Sequence, residues 1–122
     1  MKISDAESIV MEALWAKSPL TAEDVCARVA EAQNWRKVTV KTLLNRLLNK
    51  GAVTVEREGR KYLYSPALTR DAYVSAQSKS LLDRLFEGRI APLVTHFSER
   101  EELSREDIAE LKRLIAELDD DA

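Results

Sequence analysis

The hydrophobic period of this chain changes twice, and that change limits the folds open to it. Up to Gly51 the apolar residues recur at helical spacing. From residue 52 to Pro66 they alternate with a period near two, and from Thr69 the helical spacing returns. A helical segment, a short strand pair and a second helical segment must therefore be joined in that order.

Local signals divide the first helical segment into three. "SDAE" at 4–7 has the form of a capping box, with Ser4 as N-cap and Glu7 reaching back to its N–H. Ile9, Val10, Ala13 and Leu14 form one face behind it, and Pro19 closes that helix. "TAED" at 21–24 repeats the start signal for a second helix carrying Val25, Cys26 and Val29 and running to about Gln33. "NWRKV" connects it to a third, from about Val38 to Lys50, with Gly51 placed as the C′ residue. "AVTVERE" and "KYLYSP", separated by "GR", predict a β-hairpin with Gly59 in its turn and Pro66 at its end.

Beyond the hairpin, residues 69–87 predict a long helix with Leu81, Leu82, Leu85 and Phe86, broken at Gly88. "IAPLVTHF" predicts a short apolar helix or turn bounded by Ser98. "SRED" at 104–107 opens a last helix with Ile108, Leu111, Leu114, Ile115 and Leu118 on one face, ending in "DDDA". The expected fold is mainly α with a small β-hairpin wing. Residues 1–68 would form a winged helix-turn-helix, and residues 69–122 a C-terminal helical dimerisation region.

With 45% hydrophobic residues in 122, there is material for a core in one domain or a compact domain plus an appendage. One cysteine, Cys26, cannot form an internal disulfide, and its position beside Val25 and Val29 predicts a buried small residue. The lone histidine, His96, cannot anchor a histidine cluster, so no metal and no cofactor is expected. Met1-Lys2 leads straight into "ISDAES" with no apolar signal region, and no run approaches the ~20 apolar residues of a membrane span. The expectation is a cytoplasmic protein without membrane insertion. Enzyme chemistry finds no Gly-rich phosphate loop and no acidic pair in an obvious pocket.

Charge is segregated along the chain. Residues 1–66 hold 11 Lys+Arg against 8 Asp+Glu, and residues 67–122 hold 8 against 13. Within 36–61, 8 basic residues face Glu56 and Glu58 alone, a local excess of +6 inside a chain of net charge −2. A local basic footprint of this kind suits a phosphate-bearing partner.

The third helix lies inside that footprint. With Val40, Leu43, Leu44 and Leu47 turned inward, Val38, Lys41, Thr42, Asn45 and Asn49 fall opposite, with Arg46 on a flank. Asn can pair with adenine, Arg or Lys with guanine, and Thr or Val with the thymine methyl in a major groove. Thr39, Lys41, Thr42, Asn45 and Arg46 are therefore the candidate base-reading residues. Arg57, Arg60 and Lys61 on the wing, with Arg36 and Lys37 ahead of the helix, are the candidate phosphate contacts. Tyr62 and Tyr64 are expected to pack the wing on the body, and Trp15 and Trp35 to pack in the core.

These stretches together resemble the BlaI/MecI family of penicillinase and methicillin-resistance repressors. The resemblance rests on "ISDAESIVMEALW", the "W" ahead of "TVKTLLNRLLNKG", the wing "VTVEREGRKYLYSP" and the tail "FSEREELSREDIAELKRLI", and covers nearly the whole chain. It implies a homodimeric transcriptional repressor bound to a palindromic double-stranded DNA operator. In antibiotic-responsive members, a membrane sensor-protease system leads to cleavage between Asn and Phe in the segment matching "LVTHFSE". Here His96 stands at the Asn position, followed by Phe97, which makes His96–Phe97 the candidate cleavage site and departs from the family pattern. Copper-responsive relatives carry Cys pairs near the C-terminus, and this tail has none. For dimerisation the apolar inventory after Thr69 is large. Leu81, Leu85, Phe86, Leu93, Phe97, Ile108, Leu111, Ile115 and Leu118 are its candidate contacts, since a short tail cannot easily bury them all against itself.

Overall fold

The computed structural model describes residues 1–30 and 32–121. They form two compact units, Met1–Ser75 and Ala76–Ala122. In the first unit, α1 (Asp5–Ala16), α2 (Ala22–Val29) and α3 (Lys37–Lys50) are followed by the strands β1 (Val53–Glu58) and β2 (Lys61–Pro66). Helix α4 (Arg70–Leu85) begins in this unit. Helices α5 (Ile90–Glu99) and α6 (Arg105–Asp121) belong to the second. Three helices and a hairpin in this order make a winged helix-turn-helix.

The caps set the helix starts. Ser4 Oγ accepts the Glu7 N–H at 3.1 Å, and Glu7 Oε1 accepts the Ser4 N–H at 2.8 Å. Thr21 and Asp24 repeat the exchange at 3.1 and 3.2 Å, and Ser104 Oγ accepts the Asp107 N–H ahead of α6. Gly51 closes α3 in the left-handed conformation, φ 80°, with its N–H on the Leu47 and Leu48 carbonyls. The long helix breaks where expected, through Glu87 and Gly88, both at positive φ.

Some boundaries differ from the sequence expectation. Helix α2 ends at Val29, short of the expected Gln33, although the Gln33 N–H still reaches the Val29 carbonyl at 2.7 Å, one helical turn back. Glu31, inside the span expected to be helical, lies outside the described residues, as does Ala122 in the expected C-terminal "DDDA". Helix α3 begins one residue early, at Lys37, and "IAPLVTHF" is a helix continuing through Ser98 to Glu99.

The core sits wholly in the first unit. Val10, Met11 and Leu14 of α1 meet Val25 of α2 and Val40, Leu44 and Leu47 of α3, with Ala52 and Val53 closing the wing side. The strands pair antiparallel from Val53↔Pro66 to Glu58↔Lys61, leaving Gly59-Arg60 as a two-residue loop. Leu20, between α1 and α2, exchanges both backbone hydrogen bonds with Tyr64, at 3.0 and 2.8 Å. This bridge pins the root of the wing to the helices.

Trp15 packs against the core and donates from Nε1 to the Leu68 carbonyl at 2.8 Å. Its ring meets Tyr73 at 5.4 Å, and Arg70 pairs with Glu12 at 2.9 Å, so the start of α4 is tied to α1. Trp35 also packs on the core. Two expectations need correction. Cys26 is half-buried rather than buried, because it lies on the flank of the α2 face formed by Ala22, Val25 and Val29, with the Trp35 carbonyl 3.9 Å from Sγ. Tyr64 packs on the core, but Tyr62 is 52% exposed, because it sits nearer the hairpin tip, where the body no longer covers the strand.

Candidate nucleic-acid interface

Helix α3 separates cleanly into two faces. Val40, Leu43, Leu44 and Leu47 are buried. Lys41, Thr42, Asn45, Arg46 and Asn49 are exposed, and Val38 is 65% exposed. Thr39 is half-buried on the flank, the least accessible of the candidate base readers. Thr42 Oγ1 donates to the Val38 carbonyl at 2.9 Å, one turn back. Its hydroxyl proton is thus spent within the helix, and its methyl group is what remains for a thymine contact.

The wing stands beside the N-terminal half of α3. Between them and the start of α2 lies a cleft of about 250 Å³. Lys37 and Lys41 of α3 and Arg60 and Lys61 of the wing line it. The structure therefore brings four candidate DNA-contact residues from two separate segments to one place. Arg36, Arg46 and Arg57 are exposed but lie outside this cleft. Arg36 is the N-cap residue of α3 and makes no side-chain cap bond. Arg57 Nε donates to the Gly59 carbonyl at 3.0 Å, and its guanidinium lies 5.9 Å from the centre of the Tyr62 ring. That pairing follows from the strand register, which sets Arg57 directly across from Tyr62.

Two acidic residues of the cleft were not among the sequence candidates. Glu23 Oε1 accepts from Lys37 Nζ at 2.6 Å. Asp24 is engaged in the Thr21 capping box, and the hydrogen bonds from Thr21 hold its carboxyl below the usual range. The "TAED" signal marked both as helix-start residues. Nothing local to it indicates that the helix start faces a lysine 14 residues on.

The far end of α3 is held by a different ion pair. Lys50 Nζ donates to Glu7 Oε1 at 2.6 Å and to the Lys2 carbonyl at 2.7 Å. Glu7 is 1% exposed, and its Oε2 has no partner among the described residues. Burial acts to raise the Glu7 pKa. The hydrogen bonds from Lys50 and Ser4, with the Lys50 charge, outweigh it and hold the carboxyl below its ordinary value.

The second unit carries a different surface. Among its described residues none is buried. Leu81, Leu85, Phe97, Ile108, Ile115 and Leu118 are exposed, as are Ile90 and Leu114, while Phe86, Leu93 and Leu111 are half-buried. His96 and Phe97 fall in the last turns of α5, their rings 5.4 Å apart, with Phe86 edge-on to His96 at 6.0 Å. No helix among the described residues is long and apolar enough to cross a membrane.

The family model for the penicillinase repressor matches residues 3–117. The chain belongs to the penicillinase repressor family. That family consists of DNA-binding transcriptional repressors, not enzymes. The penicillinase repressor of Bacillus licheniformis is 34% identical over 116 residues, spanning 95% of this chain and 91% of its own. The methicillin resistance regulatory protein MecI of Staphylococcus aureus is 27% identical over 114 residues, spanning 93% of each. A solution structure of monomeric Bacillus licheniformis BlaI with the blaP half-operator aligns over 60% of this chain and 89% of that one, with 34% identity and a TM-score of 0.53.

Proposed function

We propose that this family member is a homodimeric repressor that reads a palindromic DNA operator with the exposed face of α3. The observation that carries this reading is the exposed row of Lys41, Thr42, Asn45 and Arg46 beside a cleft lined by wing and helix cations. The polar row has hydrogen-bonding groups that distinguish base edges, and a helix of this width fits the major groove. Arg36, Lys37, Arg57, Arg60 and Lys61 would hold phosphates on either side and set the docking register without reading sequence. The operator half-site in complex with the monomeric Bacillus licheniformis relative supports the same partner here.

The second unit supports dimerisation by its exposed leucines, isoleucines and Phe97, which a two-fold partner would cover. Two heads would then meet half-sites about one DNA turn, ~34 Å, apart. Joining them makes the second binding event intramolecular, so loss or cleavage of the second unit releases DNA without altering the reading face. A sensor-protease acting at His96–Phe97 would have to unwind the end of α5 to reach the bond. Control of β-lactam resistance or a related stress response follows from the family's named members.

The test compares DNA from upstream of the gene with scrambled DNA by fluorescence anisotropy. Asn45→Ala or Lys41→Ala should reduce the discrimination by ~1–3 kcal/mol, the value of a lost bidentate base contact. Arg60→Ala should weaken both DNAs alike and flatten the salt dependence by about one unit. If both kinds of variant weaken both DNAs equally, α3 is not the reader. If neither changes DNA binding, the basic surface serves a protein partner instead.

A further inference from the structure

The cleft between wing and helices contains two carboxylates, Glu23 and Asp24, whose charge a DNA phosphate would repel. Glu23 is on the first turn of α2, and its partner among the described residues is Lys37, at 2.6 Å. Its neighbour Asp24 is spent on the Thr21 cap, but Glu23 has no such structural duty. Both members of the pair are open to solvent, Lys37 at 48% and Glu23 at 73%, so the contact can be exchanged without disturbing the core. The hydrogen bond and charge of Lys37, with a contribution from Lys41, hold the Glu23 carboxyl below its usual range. The carboxylate is thus coupled to two of the cations proposed to face DNA.

We infer that Glu23 is a built-in phosphate mimic, holding Lys37 in the free protein and giving it up to a DNA phosphate on binding. The inference rests on the proposed role of Lys37 as a phosphate contact. Its physical content is an ion exchange. When an unpaired lysine neutralises a phosphate, the DNA releases a condensed counterion. When Lys37 leaves Glu23 to do so, the freed carboxylate takes up a cation, and the net release from that contact falls toward zero. Glu23 therefore lowers affinity for every sequence by a similar factor and weakens its salt dependence. It limits how much of the repressor is held on non-operator DNA while leaving the discrimination made by α3 intact.

The experiment uses the full chain, its Glu23→Gln and Lys37→Met variants, and a fluorescent duplex of scrambled sequence titrated across about 50–200 mM salt. Glu23→Gln should bind about two- to fivefold tighter, the range of an exposed ion pair. Its slope of log K against log salt should steepen by about 0.9 for each bound head. Both residues are exposed, so unchanged thermal melting will show that the fold is intact. If Glu23→Gln binds no tighter, or its slope does not steepen, while Lys37→Met still weakens binding, the mimic is refuted and the phosphate role of Lys37 stands. If Lys37→Met leaves affinity unchanged, the phosphate role fails and the inference fails with it.

Discussion

Lys50→Met tests how α3 is held. The substitution keeps a long apolar stem and removes the ammonium that reaches Glu7 at 2.6 Å. Glu7, with its side chain 2% exposed, is left with the Ser4 N–H on Oε1 and nothing on Oε2 among the described residues. Breaking a fully buried pair costs about 3–5 kcal/mol. Here the Lys50 side chain is 36% exposed, so water already screens part of the attraction. A charged hydrogen bond in such a half-open site is worth about 1.5–3 kcal/mol, and the expected loss is about 2–3 kcal/mol. Urea unfolding followed by tryptophan fluorescence reads this directly, because Trp15 and Trp35 both pack on the first unit's core. Acid supplies a second reading. Glu7 is held below its ordinary value of 4.5, so its contribution is complete above that pH and disappears as pH falls through the folded value. The gap between the native chain and Lys50→Met should therefore be full at neutral pH and close as the solution is acidified. A loss below about 1 kcal/mol, or a gap that persists in acid, would refute the clip.

Other consequences are smaller or more local. Thr42→Val keeps the outward methyl and loses only a hydroxyl already bonded to Val38, so operator discrimination should stay within about 0.5 kcal/mol, whereas Thr42→Ser should lose it; competition anisotropy separates them. Ile115→Asp or Leu85→Asp places a charge in the exposed apolar face and should shift sedimentation from dimer to monomer, with operator affinity falling by about 10²–10⁴-fold as avidity is lost. Trp15→Phe removes the donor to the Leu68 carbonyl and should lower stability by about 1 kcal/mol in urea titration, without altering DNA discrimination.

Much of this protein is local, and local properties are legible in a sequence. The capping boxes at Ser4 and Thr21 need partners only three residues away, and both form as expected. The two faces of α3 follow from a 3.6-residue period, so which residues point outward is decided once the leucines are turned in. The hairpin register follows from a two-residue loop at Gly59. What only the tertiary structure decided is which distant groups meet. Glu7 finds Lys50 43 residues away, Trp15 finds Leu68 at a separation of 53, and Leu20 bridges to Tyr64. Glu7 fits the same capping pattern whether or not a lysine lies beside it, and Glu23 fits a helix start whether or not it faces a basic cleft. Partner choice over such distances depends on how α1, α2, α3 and the wing pack, and side chains that satisfy identical local rules acquire different electrostatic roles only when that packing is complete.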